Sequence, residues 1–282
     1  MTDVEIKSIE YTDKFILKTD SGKYYADKIV LATGSKTAPK TGSTGLGYEL
    51  AKSFNHHIIK PLPALVQLFG KYNFLKEWAG VRAEVKVSYI EDDILVKEVM
   101  GEIQLTNYGV SGICIFQLSS QIIRSLYGGK KAKLSINFVP WIEGDCLTYL
   151  EERSNLLYNR SISQLLDGIL NYKLVNLILK KNKINGNMSF NKLSYAQKDS
   201  VASDLENFIF EVTGYNDFDA AQVCSGGIPL NEVNISTMES KFQKGLYIIG
   251  ELLDVDGECG GYNLGFAWLS GILAGSSIKE SL

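Results

Sequence analysis

The chain has 282 residues, 45% of them hydrophobic and 22% charged, with a formal net charge of -3. That is a soluble globular composition of about two domains, able to form a core without a disulfide or metal staple. The acidic balance argues against nucleic acid as a partner. Four cysteines without a C-x-x-C pair fit a reducing cytoplasm. The longest apolar segment, Leu264 to Ile278, is too short and too rich in Gly and Ser for a membrane span, and the N-terminus does not read as a signal peptide.

Residues 4–11, 14–19 and 23–26 alternate apolar and polar around Thr19-Asp20-Ser21-Gly22, which predicts a small antiparallel meander. Lys28 to Ala32 is a short apolar run of the kind buried on both faces, and it ends in Thr33-Gly34. After a polar loop, helical spacing over 44–54 predicts a helix with Ser43 or Thr44 as N-cap. Pro61 and Pro63 mark a boundary. Beyond it, Val81–Ile90, Ile94–Val99, Glu102–Thr106 and Lys133–Phe138 read as strands, with one helix near 114–127. From 146 to 206 leucines and isoleucines recur at helical spacing, closing with a helix over 194–207. Phe208–Thr213 and Ala220–Cys224 read as returning strands. His56 and His57, the two histidines of the sequence, read as a helix C-terminal cap with no evident Ser or Cys partner.

The closing stretch carries most of the chemistry. An apolar run over 245–249 ends in Gly250-Glu251. The acidic loop Asp254, Asp256, Glu258 follows, and Gly260-Gly261-Tyr262-Asn263-Leu264 opens a helix that is apolar on nearly every side. Glycines let backbone approach a ligand, and a helix start offers free N–H groups and partial positive charge. Only two of the acids fit the calcium-loop spacing, so no metal site is expected. The two ends of the chain thus read as one αβ module, residues 1–60 and 231–282. A β-rich inserted domain, 61–145 and 207–230, itself carries a helical insert, 146–206.

Several of these motifs occur in one order: Ala32-Thr33-Gly34, Pro39 to Gly45, Thr106 to Gly112, Ala221 to Gly227, and Gly250 to Leu264. Together they resemble bacterial FAD-dependent oxidoreductases of the aminoacetone-oxidase-like and bile-acid-reductase-like kind, from about Val4 to Gly275. The resemblance implies an α/β and α+β multidomain protein built on a Rossmann-like FAD domain. It implies that Ala32, Thr33, Gly34, Gly226, Gly227, Gly250, Glu251, Gly260, Gly261, Tyr262, Asn263 and Leu264 contact the cofactor. Glu251 would hold the ribityl hydroxyls, and the Gly260–Leu264 helix start would face the flavin ring. The partner is a small organic substrate, with NAD(P)H or oxygen as the other redox partner.

Family members begin with strand, G-x-G-x-x-G and helix. These 282 residues contain no such unit; Gly42-Ser43-Thr44-Gly45-Leu46-Gly47 has the spacing reversed. The resemblance therefore implies an incomplete FAD domain holding the flavin-ring half of the site. Two alternatives stand beside flavin chemistry by this chain: a subunit completed by a separate N-terminal Rossmann polypeptide, and a phosphate-binding module built on Gly42 to Gly47. No catalytic acid or base is assigned. The family carries His where Asn107 stands, so no proton-transfer role is carried to that position.

Overall fold

The computed structural model describes residues 4–280. The chain is α/β with mixed sheets. Its residues up to Leu65 and from Asp217 onward form one compact unit, and Val66–Asn216 form another.

In the first unit β1 (Ile6–Tyr11), β2 (Phe15–Thr19) and β3 (Lys23–Ala26) make an antiparallel meander. The parallel-type strand β4 (Ile29–Leu31), the helix α1 (Leu46–Lys52) and β5 (Ile59–Ala64) follow. The second unit begins with β6 (Leu68–Phe69), the short helix α2 (Leu75–Trp78), the hairpin β7 (Arg82–Glu91) and β8 (Ile94–Leu105), β9 (Gly109–Ser111) and the helix α3 (Ile113–Tyr127). It continues through β10 (Ala132–Asn137), the helices α4 (Cys146–Leu156), α5 (Ile162–Leu166), α6 (Tyr172–Lys181) and α7 (Tyr195–Glu206), and the strands β11 (Phe208–Val212) and β12 (Gly214–Tyr215). The chain then returns to the first unit with β13 (Val223–Gly227), β14 (Leu246–Ile248) and the long helix α8 (Tyr262–Glu280). Among the described residues no helix is long and apolar enough to cross a membrane.

The second unit is organised by one sheet in the order β11-β10-β7-β8-β9-β6-β12. Against it lies α3, which buries Ile115, Leu118 and Ile122 on one face. The helices α4 to α7 close a separate apolar cluster around Leu150, Ile178, Phe190 and Val201. Two of them start with reciprocal capping boxes, Ser161 with Gln164 and Ser194 with Gln197, which satisfy backbone donors that a helix start leaves open. The two strands expected over 94–99 and 102–106 are one strand, β8. Gly101 breaks the alternation that sequence patterning relies on, yet pairing with β7 continues through it, opposite Val85.

In the first unit β4 and β14 form a two-stranded parallel sheet, with Leu246 opposite Ile29 and Ile248 opposite Leu31. Their apolar side chains join Ile9 and Phe15 of the meander and Tyr48 and Leu50 of α1 in one core. The helix α1 starts later than expected: its cap is Gly45, in the left-handed region at φ 81°, rather than Ser43 or Thr44. Its first turn is closely packed. A Cβ on Gly47 would lie 2.0 Å from Thr33 Oγ1 and 2.7 Å from Leu252 Cδ2. Gly47 therefore serves packing rather than a ligand.

Gly47→Ala should destabilise the protein by about 1–3 kcal/mol in urea unfolding. The overpacking outweighs the roughly 1 kcal/mol that alanine gains in helix propensity. Gly42→Ala, with open space around its Cβ position, should lose no more than the roughly 1–2 kcal/mol of left-handed strain.

Candidate functional site

The carboxyl ends of parallel strands are where open α/β sheets place ligands. Here β4 runs out into Ala32-Thr33-Gly34, and β14 into a tight turn over Gly250–Leu252. The two ends stay side by side because Ile249 N donates to Leu31 O at 3.1 Å. Glu251 then ties three segments together. Its Oε2 accepts from Ser35 Oγ at 2.8 Å, and its Oε1 accepts from Cys224 N at 2.8 Å. Tyr48 from α1 donates to the Glu251 carbonyl at 3.5 Å. Burial raises the Glu251 carboxyl above its usual value, against the pull of the Ser35 and Cys224 bonds. Both carboxylate oxygens are thus engaged by the chain itself.

On β13, Gly226 and Gly227 have φ of 101° and 136°. A Cβ at Gly226 would meet Lys60 O at 2.4 Å, and one at Gly227 would meet Leu252 O at 2.5 Å. These two glycines let β13 lie against β5 and the Gly250–Leu252 turn, an approach of backbone to backbone rather than of backbone to ring. Burial pushes the Cys224 thiol up to about 11, so it stays protonated at neutral pH. Thr37, just after Ser35, is buried at 5% exposure, and its hydroxyl has no partner among the described residues.

The loop before α8 is held by side chains at both ends. Ser225 Oγ donates to Asp256 Oδ1 at 2.9 Å. Asn263 accepts from Gly257 N at 2.8 Å and donates back to Gly257 O at 3.0 Å, so its amide is committed to the loop. Gly260 and Gly261 have φ of 125° and 90°, and nothing lies within 4 Å of a Cβ at Gly261. The side chains of Tyr262 and Leu264 are exposed. The first turn carries no acidic residue that would neutralise its positive end. The helix is anchored to β14 through Ser270, whose Oγ accepts from Gly250 N at 3.0 Å.

A second polar constellation lies in the same unit. His56 Nδ1 is 2.9 Å from Glu232 Oε2, and its Nε2 is 2.8 Å from Ser240 Oγ. His57 Nδ1 is 2.6 Å from Glu232 Oε1, and His57 N donates to Oε2 at 3.1 Å. Ser, His and Glu in this order match a nucleophilic relay in outline. However, Ser240 Oγ also accepts from Phe242 N and Gln243 N, each at 3.1 Å. Both its lone pairs are occupied, so its proton points to His56 and no electron pair is left for attack. The cluster is a clamp joining the segment after α1 to residues 232–243. The expectation that the histidines cap a helix holds for the backbone of His56, whose N donates to Ala51 O at 3.3 Å after the left-handed Asn55, while the imidazoles are partners of Glu232 and Ser240.

With the geometry in place, comparison with known proteins is decisive. Residues 1–277 match the HI0933-like protein Rossmann domain. The chain belongs to that family. It is 37% identical to the 3-dehydro-bile acid delta(4,6)-reductase of Clostridium scindens, over 99% of this chain and 69% of that protein. It is 31% identical to the ribosomal RNA dihydrouridine synthase of Escherichia coli, over 86% of this chain and 58% of that protein. The Haemophilus influenzae protein of the same name is 27% identical, over 98% and 67%.

In this HI0933-like chain the strand ends bring Ala32, Thr33 and Gly34 beside Gly250 and Glu251. Gly226 and Gly227 lie against the same turn, and the Ser225–Asp256 bond links β13 to the loop that leads into Gly260–Leu264. In the reversed glycine cluster over 42–47, Gly47 is packed against Thr33 and Leu252, and Lys36 Cε lies 2.7 Å from the position a Cβ on Gly45 would take. Sequence reasoning did not find Thr37, Tyr48 or Cys224 as parts of the site. Ser35 was legible only as part of the polar loop after Thr33-Gly34.

The clamp sets an acid limit on stability. Burial lowers His56 below its usual value, against its bond to Glu232. Burial would raise Glu232, but the bonds from His57 and His56 hold it low. The unfolded chain takes up a proton near 6.5 that native His56 refuses. Stability should therefore fall as pH drops below about 6.5, and again below the ordinary glutamate value of 4.5. His56→Ala should cost about 1–3 kcal/mol at pH 7 and flatten the upper part of this dependence in denaturation measured from pH 7.5 to 5.

Proposed function

We propose that the chain carries the flavin-ring end of an FAD site, and that the protein reduces a polarised carbon–carbon double bond in a small organic substrate with NAD(P)H as electron donor. The observation that carries this reading is the start of α8: open space at Gly261, uncovered Tyr262 and Leu264, and no acid in the first turn, beside the joined ends of β4 and β14. Such a helix start suits the pyrimidine edge of a flavin, which gains negative charge on reduction. The buried, unpartnered Thr37 hydroxyl adds spare hydrogen-bonding capacity next to Ser35.

When bound, FAD would supply the hydride. The chain's own residues would stabilise charge through the amides of the first turn and hold the loop through Asn263. Glu251 would act as a brace for the strand ends, with its remaining lone pairs available to a polyol. The 282 residues contain no strand, G-x-G-x-x-G and helix unit for a dinucleotide pyrophosphate, so on this reading that part of FAD is held elsewhere. The names of the relatives support the substrate class. A delta(4,6)-reductase and a dihydrouridine synthase share one act, hydrogenation of a C=C. The net charge of -3 favours a small molecule over RNA.

Leu264→Asp tests the reading. An acid in the first turn steadies the helix itself, so the melting temperature without flavin should be unchanged or slightly higher. FAD affinity should fall by about tenfold, the order of one charge interaction at a helix end. Equal FAD affinity in the two proteins, or no thermal shift with FAD in the parent, would remove the helix start from the site.

A further inference from the structure

The first unit holds a cavity of about 370 Å³ apart from the strand ends described above. Three segments enclose it: the end of β1, the residues just after α1, and Phe242 and Gln243 ahead of β14. None of its lining residues takes part in the brace around Glu251.

The apolar wall is Ile9 with three aromatic side chains, Tyr11, Phe54 and Phe242. Tyr11 and Phe54 pack edge-on against Phe15, with ring centroids 4.9 and 5.9 Å apart, and the Phe242 ring lies 4.9 Å from that of His56. The core and the histidine clamp thus fix the rings, yet Tyr11 and Phe242 stay exposed. The polar wall is Glu10, Ser53, Asn55 and Gln243, and no Lys or Arg is part of the lining. A carboxylate without a basic residue beside it in the cavity does not suit an anion.

Hydrogen bonding within the chain narrows the choice further. The amides of Ser53, Phe54 and Asn55 donate to Glu49 O, Ala51 O and Lys52 O at 3.3, 3.0 and 2.9 Å. Those of Phe242 and Gln243 donate to Ser240 Oγ. Ser53 Oγ donates to Leu50 O at 2.7 Å, and Gln243 Nε2 donates to Lys244 O at 3.1 Å. These donors are committed. The Ser53 lone pairs, Gln243 Oε1 and the Glu10 carboxylate are left to accept, while the Tyr11 hydroxyl and the Asn55 amide can do either. A hard metal ion would want six or more oxygens and no rings. An ammonium group donates to such acceptors and is also attracted to aromatic faces.

We propose that this cavity binds a small organic ammonium ion. Its alkyl part lies against Ile9 and the aromatic wall, and its charged head meets Glu10, Ser53 and Gln243. In the unliganded chain Glu10 accepts from Lys18 Nζ of β2, which is not part of the lining. Lys18 and the ligand therefore compete for one carboxylate.

The probe is n-butylammonium, with uncharged n-butanol of the same length as its control, titrated into the full chain and followed by saturation-transfer NMR. Butylammonium should bind with a Kd on the order of millimolar, and butanol at least about threefold more weakly. Glu10→Gln should weaken butylammonium about three- to fivefold and leave butanol unchanged. Phe242→Leu, which keeps an apolar side chain and removes the ring, should weaken it about two- to fivefold. Lys18→Met should tighten it about twofold or more. Glu10→Gln and Lys18→Met break the same surface ion pair, so their opposite effects on affinity separate binding from a loss of folding. Equal binding of the alcohol and the ammonium ion, equal affinity in the parent and Glu10→Gln, or weaker binding in Lys18→Met would overturn the proposal. So would the absence of saturable binding up to about 0.1 M butylammonium.

Discussion

The candidate site depends on one half-buried carboxylate. Glu251 sits where two parallel strands end, and it is satisfied only by donors from distant parts of the chain, Ser35 and the Cys224 amide. A charged group in that position is costly when left unpaired. The loop after β4, the strand β13 and the turn after β14 are therefore fixed together or not at all. Other contacts follow from this tie. Leu252 is pressed into the gap beside Gly47, Gly227 passes under the Leu252 carbonyl, and Ile228 exchanges backbone bonds with Leu252 and Asp254. The entry to α8 is thus tied to the same turn, through the Ser225–Asp256 bond from β13.

The helix α8 takes part in two different pieces of physics. At its start, glycines, exposed side chains and the absence of acid from the first turn leave a positive helix end open. Along its length, a narrow inner stripe anchors to β14 through Ser270, while the outer face stays apolar and uncovered. They share an element because a helix packed along a parallel sheet has its N-terminus at the strand ends and its side on the layer's outer surface.

Local features were legible in the sequence and distant ones were not. The meander, α3, α7 and the closing strand and helix could be read from period and punctuation, since each depends on neighbours a few residues away. The Gly250–Leu264 stretch stood out for the same reason: turn, acid, glycines and helix start are contiguous. The break at Gly101 was misread because a glycine inside a strand looks like its end, although pairing runs through it. The start of α1 was misplaced because Gly45, in the left-handed region, takes the cap position that Ser43 or Thr44 was expected to fill. Ser35 and Glu251 are 216 positions apart, and His56 and Glu232 are 176 apart. No local pattern reveals such pairs, which is why the histidine clamp and the brace around Glu251 emerge only from the folded chain.

The central claim is that flavin meets this chain at the start of α8. Hydrogen exchange of the backbone amides, read by mass spectrometry with and without saturating FAD, tests it most directly. The account predicts slowed exchange confined to Gly257–Phe266 and the turns after β4 and β14. Unchanged exchange across Gly257–Phe266 with FAD bound, or protection only within Val66–Asn216, would contradict it.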